Sequence, residues 1–126
     1  MIFGTGIDIA EIDRFGIAYK RFQERFLGKI LSEYELKYFD AFRNPARYLA
    51  MRFAAKEATS KALGTGFKQG IYPSLIWVEH EFSGKPHLQV SGKAKHLFEK
   101  FKISHSHISL SDDGGFAVAS VILETE

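Results

Sequence analysis

The chain has 126 residues, 45% of them hydrophobic, 25% charged and none of them cysteine. That length suits one domain over residues 1–126, with a core that needs no disulfide or structural metal. The composition argues against disorder, and the missing cysteine excludes disulfide frameworks, thiolate zinc sites and thiol nucleophiles while suiting a reducing cytosol. Seventeen Lys and Arg against fifteen Asp and Glu leave a net charge of +2, too little to mark a nucleic-acid binder. No apolar run approaches the roughly 20 residues of a spanning helix. Asp8 and Glu11 arrive too early for a signal-peptide core. A soluble, cytoplasmic protein is expected.

Ile2–Ala10 alternates as a strand, with Phe3, Thr5, Ile7 and Ile9 on one face and Gly4, Gly6 and Asp8 on the other. Glu11 to Leu27 reads as a helix whose apolar stripe is Ile12, Phe15, Tyr19, Phe22 and Phe26. A second stripe, Arg14, Ala18, Arg21 and Arg25, puts three guanidiniums on one face. Gly16 is a candidate break in this helix, and Gly28 suits the position after its end. Ser32-Glu33-Tyr34-Glu35 is a capping box that opens a short helix to about Phe42. Asn44-Pro45 opens a longer one, running to Leu63 and stopping at Gly64. Its row of Ala50, Ala54, Ala58 and Ala62 lets another element pack close.

Strands over Leu75–Phe82 and Pro86–Val90 flank a turn at Ser83-Gly84-Lys85. Ser91 caps a helix from Gly92 to about Phe101, and strands His107–Ser111 and Phe116–Leu123 flank Asp112-Asp113-Gly114-Gly115. The fold class expected is α+β, a mainly antiparallel sheet packed on helices.

Chemistry concentrates on the long helix. Glu57 and Lys61 stand four apart, with Arg52, Lys56 and Ser60 in the neighbouring row, and Gly64-Thr65-Gly66 frees the backbone to approach a ligand. A solvated helix face with a stabilising Glu57–Lys61 pair accounts for the same spacing. Asp8 lies between Ile7 and Ile9, where a carboxylate is costly unless paired, solvated or metal-bound. Its plain alternatives are a salt bridge to Arg14 or a capping role for the following helix. Together Asp8 and Glu57 suit Mg²⁺, which takes one or two protein carboxylates and completes its shell with water and phosphate. Lys and Arg nearby would hold phosphate oxygens, as phosphoryl-type transfer requires. His105 and His107 share a strand face without a third ligand, and no G-x-S-x-G elbow accompanies Ser109 or Ser111.

Two stretches carry a resemblance to a known family. Gly6-Ile7-Asp8-Ile9-Ala10-Glu11-Ile12-Asp13-Arg14 resembles the amino-terminal G-x-D-x-x-x-x-x-R motif of 4′-phosphopantetheinyl transferases. Arg52-Phe53-Ala54-Ala55-Lys56-Glu57-Ala58-Thr59-Ser60-Lys61-Ala62-Leu63-Gly64-Thr65-Gly66 resembles their R-F-x-x-K-E-A-x-x-K-A-x-G-T-G motif. The length is similar to that of the short bacterial type, the holo-[acyl-carrier-protein] synthases; the broad-specificity type joins two such halves.

The resemblance implies transfer of 4′-phosphopantetheine from coenzyme A to a serine of apo-acyl carrier protein, in support of fatty acid biosynthesis, with Mg²⁺ as cofactor. It implies Asp8 and Glu57 as metal ligands, and Glu57 and Lys61 as catalytic residues. Arg52, Lys56, Ser60, Lys61, Gly64, Thr65 and Gly66 are the implied coenzyme A contacts. Many members carry a Ser/Thr-His pair near the C-terminus; here that place reads Ser111-Asp112-Asp113, and Ser111 is carried over. Docking of the acidic carrier falls to Arg14, Arg21, Arg25 and Phe22 on the first helix. A homotrimer with active sites across subunit boundaries is implied too. The serine proton can go to water on the metal, to Glu57 or to Lys56. The rival classes are a Mg²⁺ nuclease, whose lysine would stand two rather than four after the acid, and a binding module without turnover.

Overall fold

The computed structural model of the chain describes residues 1–126. Strands β1 (Ile2–Glu11), β4 (Ile103–Asp113) and β5 (Phe116–Thr125) form an antiparallel sheet in the order β1-β5-β4. A separate two-stranded sheet pairs β2 (Ile76–His80) with β3 (Pro86–Val90). The helices are α1 (Ile12–Phe22), α2 (Glu24–Ile30), α3 (Glu33–Tyr38), α4 (Pro45–Leu63) and α5 (Gly92–Lys100). The α+β expectation holds.

Helix α4 lies on the larger sheet, and the core is where its alanines meet Ala117, Ala119, Val121 and Leu123 of β5. The glycines of β1 explain how close the two come. A Cβ built on Gly6 would stand 1.9 Å from the Ala58 carbonyl oxygen, and one on Gly4 2.0 Å from that of Ala62. Only glycine fits, so the bare face of β1 is the buried one and the alanine row is the surface it rests on. The bulky face points out: Ile7 is 65% and Ile9 64% exposed. This reverses the usual burial of the apolar side of a strand.

The amino-terminal helical region differs from the single helix expected over Glu11–Leu27. It breaks at Gln23, in a left-handed φ of 49°, and Gly16 stays inside α1. Gly28 lies inside α2, which ends at Ile30. The break lets Leu27 and Ile30 turn inward beside Leu31 and Leu49, while Phe22 remains 43% exposed. The capping box of α3 is present in both directions: Glu35 N donates to Ser32 Oγ at 3.2 Å and Ser32 N donates to Glu35 Oε1 at 3.1 Å. That helix stops at Tyr38, short of Phe42. Asn44 caps α4 by accepting from Arg47 N at 3.3 Å. β4 begins at Ile103, four residues before the expected His107, because its pairing with β5 continues to the edge of the sheet.

Candidate active site

The close packing of β1 on α4 brings Asp8 to the flank of Glu57 and Lys61. Lys61 Nζ donates to Asp8 Oδ1 at 3.1 Å and to the Ile7 carbonyl at 3.0 Å. The Asp8 side chain is 13% exposed and that of Lys61 48%. Partial burial pushes the Glu57 carboxyl up from its ordinary pKa, and the negative charge of Asp8 adds to this; Lys61 acts the other way. A cleft of about 360 Å³ opens over these carboxylates, with Arg14, Phe15, Phe26 and Phe53 among its walls. Two like charges, incompletely neutralised, thus face a half-apolar cavity. Two hard oxygen donors of this kind suit a divalent cation with few protein ligands. No group of three or more His, Asp or Glu side chains offers a self-sufficient metal cage.

A second cleft, of about 470 Å³, lies where α4 meets the β2–β3 hairpin and β4. Arg47, Arg52 and Lys85 make it basic, with His80 beside them. Arg52 packs its guanidinium over the Tyr48 ring at 4.7 Å. Burial, and then the charge of Arg52, hold the His80 imidazole below its usual pKa. Asp112 does not repel an anion here as a free acid would, because its carboxylate accepts from Arg47 at 2.9 Å. Spacing on α4 revealed Arg52, but nothing local linked it to His80 and Lys85, which arrive on the hairpin.

Residues 4–121 match the 4′-phosphopantetheinyl transferase superfamily. The chain belongs to it. It is 48% identical over 124 residues to a protein named holo-[acyl-carrier-protein] synthase from Vibrio cholerae, covering 98% of both chains. A Vibrio parahaemolyticus protein of the same name is also 48% identical over 98% of both. The crystal structure of holo-[acyl-carrier-protein] synthase from Neisseria meningitidis superposes with a TM-score of 0.91 at 38% identity, covering 99% of this chain and 100% of the other. The Helicobacter pylori synthase in complex with coenzyme A gives 0.83 at 32% identity, over 95% and 99% of the two chains.

Within this member of the superfamily, the transferase-like motif of α4 splits between two environments. Asp8, Glu57 and Lys61 come together as expected. Lys56 does not join them. Its side chain is 0% exposed, and its ammonium donates to Glu35 Oε1 at 2.7 Å, to the Pro73 carbonyl at 2.9 Å and to the Ile76 carbonyl. With all three protons used and no access, Lys56 is neither a coenzyme A contact nor the proton acceptor; burial lowers its pKa despite Glu35. Ser60 is also buried, and its hydroxyl donates back to the Glu57 carbonyl at 2.8 Å. The row of Arg52, Lys56 and Ser60 therefore faces largely inward.

The amides of Gly64, Thr65 and Gly66 all return to the Ser60 carbonyl, at 3.1, 3.2 and 3.2 Å. This closes α4 through a left-handed Gly64, with φ of 86°, and the space beside both glycines is open. The turn thus presents room for a ligand rather than free donors. Ser111 pairs with Val118 of β5, which pairs with Ile9, so it belongs to the outer face of the sheet. Within one chain it meets neither cleft.

The basic residues of the first helices divide at Gln23. Arg14 lines the Asp8–Glu57 cleft, Arg21 lies over Phe22 at 5.2 Å, and Arg25 on α2 lines a smaller groove with Phe22, Phe26 and Lys29. The groove and the cleft share Ala18 and Phe26. One continuous band, apolar in its floor and cationic at its rim, therefore leads to the carboxylates.

Proposed function

We propose that the chain is a holo-[acyl-carrier-protein] synthase, moving 4′-phosphopantetheine from coenzyme A to a serine of apo-acyl carrier protein and so serving fatty acid biosynthesis. The observation that carries this reading is the convergence of Asp8, Glu57 and Lys61 at a cleft bordered by a cationic, apolar band. The names of the Vibrio relatives and the coenzyme A bound to the Helicobacter pylori synthase support it.

The serine oxygen forms a bond to the pantetheine-bearing phosphorus, the diphosphate P–O bond breaks, and adenosine 3′,5′-bisphosphate leaves with the electron pair. Asp8 and Glu57 fit magnesium, because two carboxylates facing one cleft are the hard oxygen donors it takes, with water and phosphate completing its shell. When bound there it would neutralise and align the diphosphate. The Lys61 side chain, 48% exposed and hydrogen-bonded to Asp8, would stabilise charge on the leaving phosphate. Of the chain's own groups, Glu57 lines the cleft where the serine would enter and would accept its proton directly or through a water molecule. Arg52, in the second cleft, would hold the nucleotide part of coenzyme A.

Arg14, Arg21, Arg25 and Phe22 form the docking surface for the acidic carrier in this reading. We also propose a homotrimer with sites at subunit boundaries. Ile7 and Ile9, exposed on a sheet face with the half-buried Val118 and Ile122, support burial against further copies. Such a boundary would give Ser111 a nucleotide to meet. A cytoplasmic setting fits a cysteine-free chain acting on a thiol substrate that must stay reduced; no helix is long and apolar enough to cross a membrane.

Purified protein mixed with Mg²⁺, coenzyme A and apo-acyl carrier protein is expected to add one phosphopantetheine to the carrier, read by mass spectrometry. An unmodified carrier with both ligands demonstrably bound would leave a binding module.

A further inference from the structure

Glu35 is the one acidic side chain among the fully buried residues, and nothing in the reaction uses it. Its carboxylate is shared among three elements. Oε1 accepts from Ser32 N at 3.1 Å and from Lys56 Nζ at 2.7 Å. Oε2 accepts from Val78 N of β2 at 3.4 Å and stands 3.8 Å from Arg52 Nε. That guanidinium nitrogen is buried and has no hydrogen-bond acceptor, so the carboxylate is its nearest compensation. The main chain of Glu35 acts on Arg52 as well. Its carbonyl accepts from the Tyr48 hydroxyl at 3.1 Å, and the Tyr48 ring carries the Arg52 guanidinium at 4.7 Å.

We propose that Glu35 is a positioning residue for coenzyme A: through its carboxylate and through Tyr48 it fixes the Arg52 guanidinium in the basic cleft beside His80 and Lys85. This role rests on the reading of Arg52 as a nucleotide contact. The physical reason is orientation. A guanidinium binds phosphate well when its fork is held in one plane, and the loss of that order is felt as weaker binding. Lys56 completes the arrangement by pairing with the carboxylate from the other side, where water is excluded. The capping box, the buried lysine and the cleft arginine are then parts of one device rather than three local features.

The test is a double-mutant cycle on Glu35→Gln and Arg52→Ala, reading equilibrium binding of coenzyme A and KM for coenzyme A and for the carrier. Gln at position 35 keeps the capping box while removing the charge. Glu35→Gln is expected to weaken coenzyme A binding roughly tenfold, with KM for the carrier unchanged. In the Arg52→Ala background the same substitution is expected to add nothing further, because its effect passes through Arg52. A merely structural role would add the full loss in both backgrounds, and that result overturns the proposal. Arg52→Ala that leaves coenzyme A binding intact would instead overturn the nucleotide reading itself. Should Glu35→Gln alone fail to fold, the pair Glu35→Gln with Lys56→Met removes both buried charges. Coenzyme A binding at the wild-type level in that folded protein would refute the role; the tenfold weakening would support it.

Discussion

Asp8 and Lys61 meet at 3.1 Å with side chains 13% and 48% exposed, whereas Glu35 and Lys56 meet at 2.7 Å with side chains 1% and 0% exposed. Both pairs join a carboxylate to a lysine of α4, on two different faces of that helix. The buried pair is saturated: every Lys56 proton has an acceptor and both Glu35 oxygens have donors. The open pair is not, since Glu57 beside it stays disfavoured as an anion. Saturation holds elements together and leaves nothing for a substrate. Incomplete neutralisation weakens the fold locally and leaves charge available for chemistry.

The largest expected effect is at the open pair's acids. Asp8→Ala and Glu57→Ala should each lower transfer by about a hundredfold or more, with a folded protein by circular dichroism. Near-normal rates and unchanged Mg²⁺ dependence in both would remove the distinction between the pairs. Next, Lys56→Ala should cost about 3–5 kcal/mol in chemical unfolding, because it strands the Glu35 carboxylate in the interior. Lys61→Ala should cost less, about 1 kcal/mol, because water still reaches the half-exposed lysine of that pair. Equal losses at the two lysines would mean that the two pairs are equally structural.

Lys61→Ala is expected instead to lower kcat about tenfold, with a smaller change in KM for coenzyme A. A change in KM alone would make Lys61 a binding residue. The rim of the cleft sharpens the comparison further. Arg21→Glu with Arg25→Glu should raise KM for the carrier on the order of tenfold, and added salt should shrink the difference from wild type. Carrier kinetics indifferent to both would shift docking to the exposed Phe22.

The smallest effect concerns stability at the site. Glu57 has a raised folded-state pKa, so the folded chain holds that proton more firmly than the unfolded chain does. The ionisation cost appears as pH rises through the ordinary carboxylate range and is complete above the folded-state value. Glu57→Gln without metal should therefore show a slightly higher Tm at neutral pH, converging with wild type in acid. A lower Tm at neutral pH would mean that Lys61 outweighs burial and Asp8 together at this carboxylate.

Much of this was legible in the residues. The capping box at Ser32–Glu35, the Asn44-Pro45 start and the Gly64 stop of α4 are local signals, and each element appeared where its signal lies. Asp8, Glu57 and Lys61 were legible because the motifs Gly6–Arg14 and Arg52–Gly66 mark them, with Lys61 one helical turn after Glu57. The break at Gln23 was not, because a glutamine at positive φ carries no propensity signal; the inward demand of Leu27 and Ile30 selected it.

By itself the sequence determined the helices and strands, the small-residue surfaces of β1 and α4, and the family to which the chain belongs. Those properties depend on neighbours a few residues apart. Tertiary structure alone decided which side of β1 is buried, since only the meeting of Gly4 and Gly6 with the Ala62 and Ala58 carbonyls fixes that choice. It decided as well that Lys56 is internal while Lys61 is open, although both belong to one helix. Burial is a property of what packs across a face: Glu35 and the β2 segment cover Lys56, whereas Lys61 meets only the edge of β1, at Asp8 and the Ile7 carbonyl.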